Sequence, residues 1–78
     1  SVISIFFAAN PERDIAGYKI FRSADKMEWI LLTPDLIPTT TFQDRRVESG
    51  KTYRYAVVAV DVYGNESARS EVFEETVP

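Results

Sequence analysis

The chain has no cysteine and no histidine among its 78 residues. Without cysteine no disulfide staples the fold and no thiolate zinc site can form. Without histidine the commonest general base and metal ligand is missing, and nucleophile–base pairs reduce to weak Ser/Lys combinations. The three glycines are isolated from one another, which excludes a glycine-rich phosphate loop. Long apolar runs are also lacking. The longest, residues 5–9 and 56–60, fall far short of the ~20 residues of a membrane helix. No cationic segment precedes an apolar stretch, so no signal peptide is read here. Basic residues are scattered, with Arg45-Arg46 the longest run, and net charge is −3 from 9 basic and 12 acidic side chains. A nucleic-acid surface needs a concentrated basic patch against phosphate, and none is present.

What is present is strand-forming sequence. Hydrophobic residues make up 45% of the chain and aromatics 13%, enough for one core and too much for a disordered segment. Residues 2–8 (VISIFFA) alternate, with Ile3, Ile5 and Phe7 assigned to the core. Residues 9–14 break that run. In residues 15–23 (IAGYKIFRS), Tyr18, Ile20 and Arg22 share one face while Lys19 and Phe21 share the other. Residues 23–28 read as a turn and residues 29–32 as a short strand. Pro34 and Pro38 punctuate residues 33–38 and spoil the helical candidate over residues 25–37. Residues 39–44 (TTTFQD) form a fourth strand anchored by Phe42. Residues 52–62 (TYRYAVVAVDV) form the longest, with Tyr53, Tyr55 and Val57 on the inward parity. Gly64-Asn65 marks a turn before a last strand at residues 69–77. Short strands separated by turns point to an all-β sandwich.

Four segments occur in a telling order: Asp14-Ile15-Ala16-Gly17-Tyr18-Lys19-Ile20-Phe21-Arg22, then Phe42-Gln43-Asp44, then Thr52-Tyr53-Arg54-Tyr55-Ala56-Val57-Val58-Ala59-Val60-Asp61, then Gly64-Asn65-Glu66-Ser67. On these residues the chain resembles the fibronectin type III family, bacterial members especially, from about residue 2 to its end. The resemblance implies an immunoglobulin-like sandwich with about six strands seen, B, C, C′, E, F and G. It places Tyr18 and Ile20 inward on strand C and Trp29 on C′, covering the sandwich edge. Tyr53 becomes the tyrosine whose hydroxyl bonds backbone at the E–F corner. Strand A would precede Ile3, so its absence leaves an open edge beside strand B. The family's adhesive Arg-Gly-Asp tripeptide is missing.

Candidate sites are few. The carboxylates Asp14, Asp35, Asp44, Glu48, Asp61 and Glu66 match no calcium-loop spacing and read as solvated turn residues. Asn65-Glu66-Ser67 fits a glycosylation acceptor, although Gly64-Asn65 more simply shapes a turn. If Tyr18, Ile20, Tyr55 and Val57 point in, then Phe21, Ala56, Val58 and Val60 point out, flanked by Lys19 and Arg54, while the ambiguous register of the last strand leaves open whether Phe73 joins them. That set is a candidate contact face. Trp29 with the tyrosines could instead stack on a sugar.

The reading is therefore one fibronectin type III-like domain over residues 1–78, a piece of a larger protein. No catalytic, metal or cofactor residue is assigned. The resemblance implies a bacterial, secreted or cell-surface setting and a stiff module, its ends at opposite poles, that positions neighbouring domains. Alternatives are a protein-interaction module using the outer face or the open edge, with edge-to-edge self-association, and a carbohydrate-binding module. Neither nucleic acid nor membrane insertion is expected.

Overall fold

A computed structural model describes residues 1–25, 28–70 and 72–78. Its elements are β1 (Ile3–Phe6), β2 (Ile15–Ala24), β3 (Ile30–Leu31), β4 (Thr41–Asp44), β5 (Thr52–Asp61) and β6 (Phe73–Thr76). No helix occurs among the described residues. The strands form two antiparallel sheets, β1-β4 and β3-β2-β5-β6, with one core between them. The expected turn at residues 23–28 includes Lys26 and Met27, and the expected last strand includes Glu71; these three lie outside the described residues.

Alternation decides the core as the period-2 pattern predicts. Ile3 and Ile5 of β1, Tyr18 and Ile20 of β2, and Tyr53, Tyr55 and Val57 of β5 are buried together. Phe7, Phe42 and Phe73 pack against them, partly buried. Phe73 lies opposite Tyr55 and joins this inner cluster, which fixes the register that the sequence left open for the last strand. The strand expected at residues 29–32 contracts to Ile30–Leu31.

Residues 66–70 run beside β5 before β6 begins. Ser67 N–H donates to the Ala59 carbonyl at 2.8 Å and Ser70 N–H to the Val57 carbonyl at 2.9 Å. Thus β5 has hydrogen-bonded neighbours along both edges, and its residues 55–60 are all buried. A strand enclosed on both faces is expected to lose polar alternation, which explains the run Ala56-Val57-Val58-Ala59-Val60.

The chain's two ends meet at one pole. Ile3 lies opposite Asp44, whose carboxylate grips Arg22. Thr76 lies opposite Thr52, and Val77 exchanges backbone bonds with Gly50 and Lys51 at 2.8 and 2.9 Å. The start of β1 and the end of β6 therefore both abut the loop joining β4 to β5. This corrects the expectation of opposite poles. The long axis of the molecule is 39 Å, against 21 and 20 Å across.

Gly17 fixes how the chain closes over β2. Tyr18 and Ile37 exchange backbone bonds at 2.8 and 3.1 Å, which draws residues 36–37 onto the glycine. A Cβ at Gly17 would stand 2.8 Å from Leu36 Cβ and 2.9 Å from the Ile37 carbonyl oxygen. One obstacle is a backbone oxygen and the other a Cβ fixed directly to the backbone, so neither can rotate away. Gly17→Ala should cost about 1–3 kcal/mol in urea unfolding; an unchanged midpoint would show that residues 36–37 are not held there.

Candidate functional site

The most connected polar group in the core is a cluster linking the two sheets. Arg22 shares the inward parity of Tyr18 and Ile20, which puts a guanidinium between the sheets. It meets Asp44 at the end of β4, with Nη1 2.8 Å from Oδ2 and side-chain exposures of 13% and 5%. Tyr55 Oη donates to the same Oδ2 at 2.7 Å. The Arg46 N–H donates to Asp44 Oδ1 at 3.0 Å, and Arg22 Nη1 also reaches the Arg46 carbonyl at 3.2 Å. Both carboxylate oxygens are thereby satisfied, as a buried charge requires. Arg22 Nε has no acceptor among the described residues; the guanidinium instead lies over the Tyr53 ring, 5.3 Å from its centroid.

These contacts set the ionisation of the cluster. Burial pushes the Asp44 carboxyl up, but hydrogen bonds from Arg22, Tyr55 and the Arg46 N–H, with the Arg22 charge, hold it net below the ordinary carboxylate value. Burial raises the Tyr55 phenol, and its bond to the Asp44 carboxylate raises it further. The result is a charged carboxylate accepting from a neutral phenol and a cation. Nothing in it is poised to transfer a proton near neutral pH, and its chemistry is cohesion.

The other tyrosines act similarly. The Glu48 N–H donates to Tyr53 Oη at 2.9 Å, pinning the loop after β4, as the resemblance implies for this residue. The Asn10 N–H donates to Tyr18 Oη at 3.0 Å, pinning the loop after β1, and the Tyr18 ring meets Phe7 edge-on at 5.1 Å.

The outer face of β2 and β5 is not an open apolar patch. Val58 and Val60 are 4% and 6% exposed and Ala56 is fully buried. A stack of side chains covers this face. The Arg54 guanidinium lies 5.3 Å from the Trp29 ring, and Arg69 lies 5.4 Å from both Trp29 and Phe21. Lys19 pairs with Glu66 at 2.8 Å. Of the candidate contact face Lys19, Phe21, Arg54, Val58 and Val60, the two valines are therefore withdrawn from solvent and the others form the cover. Trp29 caps the outer face rather than the sandwich edge. With guanidinium groups on its ring it offers no free sugar platform alongside the buried Tyr18, Tyr53 and Tyr55.

Asn65 serves its turn. Its N–H and Nδ2 donate to the two carboxylate oxygens of Asp61 at 2.8 and 3.1 Å, and its carbonyl accepts from the Asp61 N–H at 2.9 Å. The Asn65 and Tyr63 N–H bonds, chief among them Asn65, lower the Asp61 carboxyl. Among the described residues, no three acidic side chains converge as a metal site.

A groove opens between the sheets on the side of β1 away from β4. It encloses about 500 Å3 and is lined by Phe6, Phe7, Tyr18, Val57 and Phe73 among others. Sequence reasoning did not find it, because Phe6 and Phe73 lie 67 positions apart and only the sheet packing brings them to one opening.

No protein-family model matches the chain. A stretch of 54 residues, 69% of the chain, is 41% identical to an amylopullulanase of Thermoanaerobacterium saccharolyticum, and spans 4% of that protein's length.

Two substitutions test these contacts. Tyr53→Phe should cost roughly 1–2 kcal/mol, since the Glu48 N–H loses its acceptor; an unchanged urea midpoint would remove the hydroxyl's role. Asp44→Asn should cost about 3 kcal/mol by leaving Arg22 without its counter-charge. Because the folded carboxyl is held below its unfolded value of about 3.9, Asp44 contributes stability above that pH and loses it as pH falls through the folded value. The variant should therefore lose stability less steeply in acid than the native chain. Parallel acid branches in urea titrations from pH 6 to 2 would contradict the assignment.

Proposed function

We propose that this chain is a non-catalytic accessory module of the fibronectin type III kind, carried within a larger, extracytoplasmic bacterial hydrolase resembling the amylopullulanase. The observation that carries the reading is the alignment: most of this small chain corresponds to a 4% portion of a very large enzyme. The strand order supports the fibronectin type III assignment, with β1 and β4 as strands B and E, and β3, β2, β5 and β6 as C′, C, F and G. The Tyr53 hydroxyl bond to the loop after β4 supports it too. The described buried polar groups are engaged in cohesion, which favours a mechanical role over a chemical one.

The mechanism is geometric. Both ends of the chain abut the 45–51 loop, itself tied down by Tyr53 and by Val77. The body beside that loop is held by two packed sheets joined through Arg22 and Asp44, which makes it stiff. A stiff module of this kind fixes the mutual placement of the domains it joins.

The absence of cysteine makes the test direct. Ser1→Cys with Pro78→Cys gives unique sites for spin labels. At low protein concentration their separation should be narrow in distribution and well below the 39 Å axis. A broad distribution, or a distance at or above that axis, would overturn the positioning role. Retardation of the unlabelled chain in gels containing pullulan or soluble starch would replace it with a carbohydrate-binding one.

A further inference from the structure

We propose that the outer edge of β4 is a strand-addition site for an extended acidic segment of a partner protein. The inference does not rest on the positioning role above. The Phe7 N–H donates to the Thr40 carbonyl at 3.0 Å, and Ile5 and Ile3 lie opposite Phe42 and Asp44. Phe42 and Asp44 thus turn their peptide groups toward β1, and Thr41 and Gln43 turn theirs the other way. The Thr41 carbonyl is capped by the Thr39 hydroxyl at 3.1 Å. Gln43 is exposed, and neither its N–H nor its carbonyl has a partner among the described residues. A guest residue set opposite Gln43 would satisfy both groups.

A cleft of about 380 Å3 lies beside this edge, and the residues lining it all fall within 32–46, an internal stretch of the chain. Its apolar lining is Leu32, Pro34 and Phe42, of which Leu32 and Phe42 are half-buried against the core. Its exposed polar lining is Gln43, Arg45 and Arg46. The Arg45 guanidinium donates to the Gln43 side chain at 2.8 Å, and neither arginine meets a carboxylate among the described residues. Asp44 also borders the cleft, but its oxygens are taken by Arg22, Tyr55 and the Arg46 N–H. A chain of net charge −3 therefore presents a locally cationic edge here.

Charge decides the occupant. Two copies of β4 would bring the arginines of both together, which opposes self-pairing. A basic segment is repelled for the same reason, and an acidic one is attracted. Alternation then sets the pattern. On a strand added to β4, inner side chains would rest on Leu32 and Phe42, and outer ones would stand beside Gln43 and Arg45. The segment that fits alternates apolar and acidic residues. The edge strand β3, by contrast, offers Ile30 and Leu31, exposed and uncharged, and so selects no partner by charge. A single short ladder falls well below the ~1,200 Å2 of a stable interface, so binding should be weak and salt-dependent.

NMR titration of the unmodified chain tests this, with a short capped peptide of alternating glutamate and valine as the probe. The Gln43 amide should move downfield and saturate as its N–H gains an acceptor. A lysine–valine peptide of equal length should leave it in place, and so should the acidic peptide N-methylated at every residue, which keeps the charge and loses the ladder. Arg45→Gln combined with Arg46→Gln should weaken binding of the acidic peptide about fivefold or more. No shift at residues 41–46 with millimolar probe would overturn the site. So would an equal response to the lysine or N-methylated peptide, or indifference to the double variant. A Gln43 shift on concentrating the chain alone would assign the edge to a second copy, and the proposal would fall.

Discussion

The Arg22–Asp44 pair is the contact on which the two-sheet arrangement turns. One sheet has four strands and the other two, and a two-stranded ribbon has little stability alone. It persists because its inner face is buried and because its last residue, Asp44, is bound by a cation and a phenol from the larger sheet. A charge pair this enclosed is not a free gain. Desolvation opposes it, and only complete hydrogen bonding makes it tolerable. Here the two carboxylate oxygens accept from Arg22, Tyr55 and the Arg46 N–H. What the pair contributes is placement: a shift of the small sheet by one residue would strand a carboxylate and a guanidinium together in the core.

The tyrosines extend the same logic to the loops. Tyr18 receives the Asn10 N–H and Tyr53 the Glu48 N–H. Each exit from the small sheet is thus fastened by a phenol rooted in the large one. A phenol suits this task because its ring fills core volume while its tip satisfies a backbone donor at the rim. The loop at the pole where the chain's ends emerge is therefore tied to the core by side chains, not merely covered by it.

Much of this was legible in the sequence, and the failures are informative. Alternation put Ile3, Ile5, Tyr18, Ile20, Tyr53, Tyr55 and Val57 in the core, where they are. The resemblance supplied the Tyr53 bond to the loop after β4, since that bond is only five residues long. Parity also put Arg22 inward, but nothing local announces a partner 22 residues away. The error over Val58 and Val60 has the same origin. Parity correctly turned them from the core, yet exposure depends on Trp29 and Arg69 reaching across the face from segments 40 residues apart in sequence. Period 2 tells which side a residue faces; it does not tell what else has arrived there.

That outer cover has a further physical consequence. A face made of valine and alanine would be adhesive if bare. Stacked guanidinium groups bury it while presenting charge to water, and long cationic side chains do this well because their stems are apolar. Arg54 leaves Nε without an acceptor among the described residues, an expense that is reasonable only if ring contact with Trp29 compensates it. The large sheet is thus covered on its outer side by this stack and on its core side by the small sheet, except along the groove beside β1.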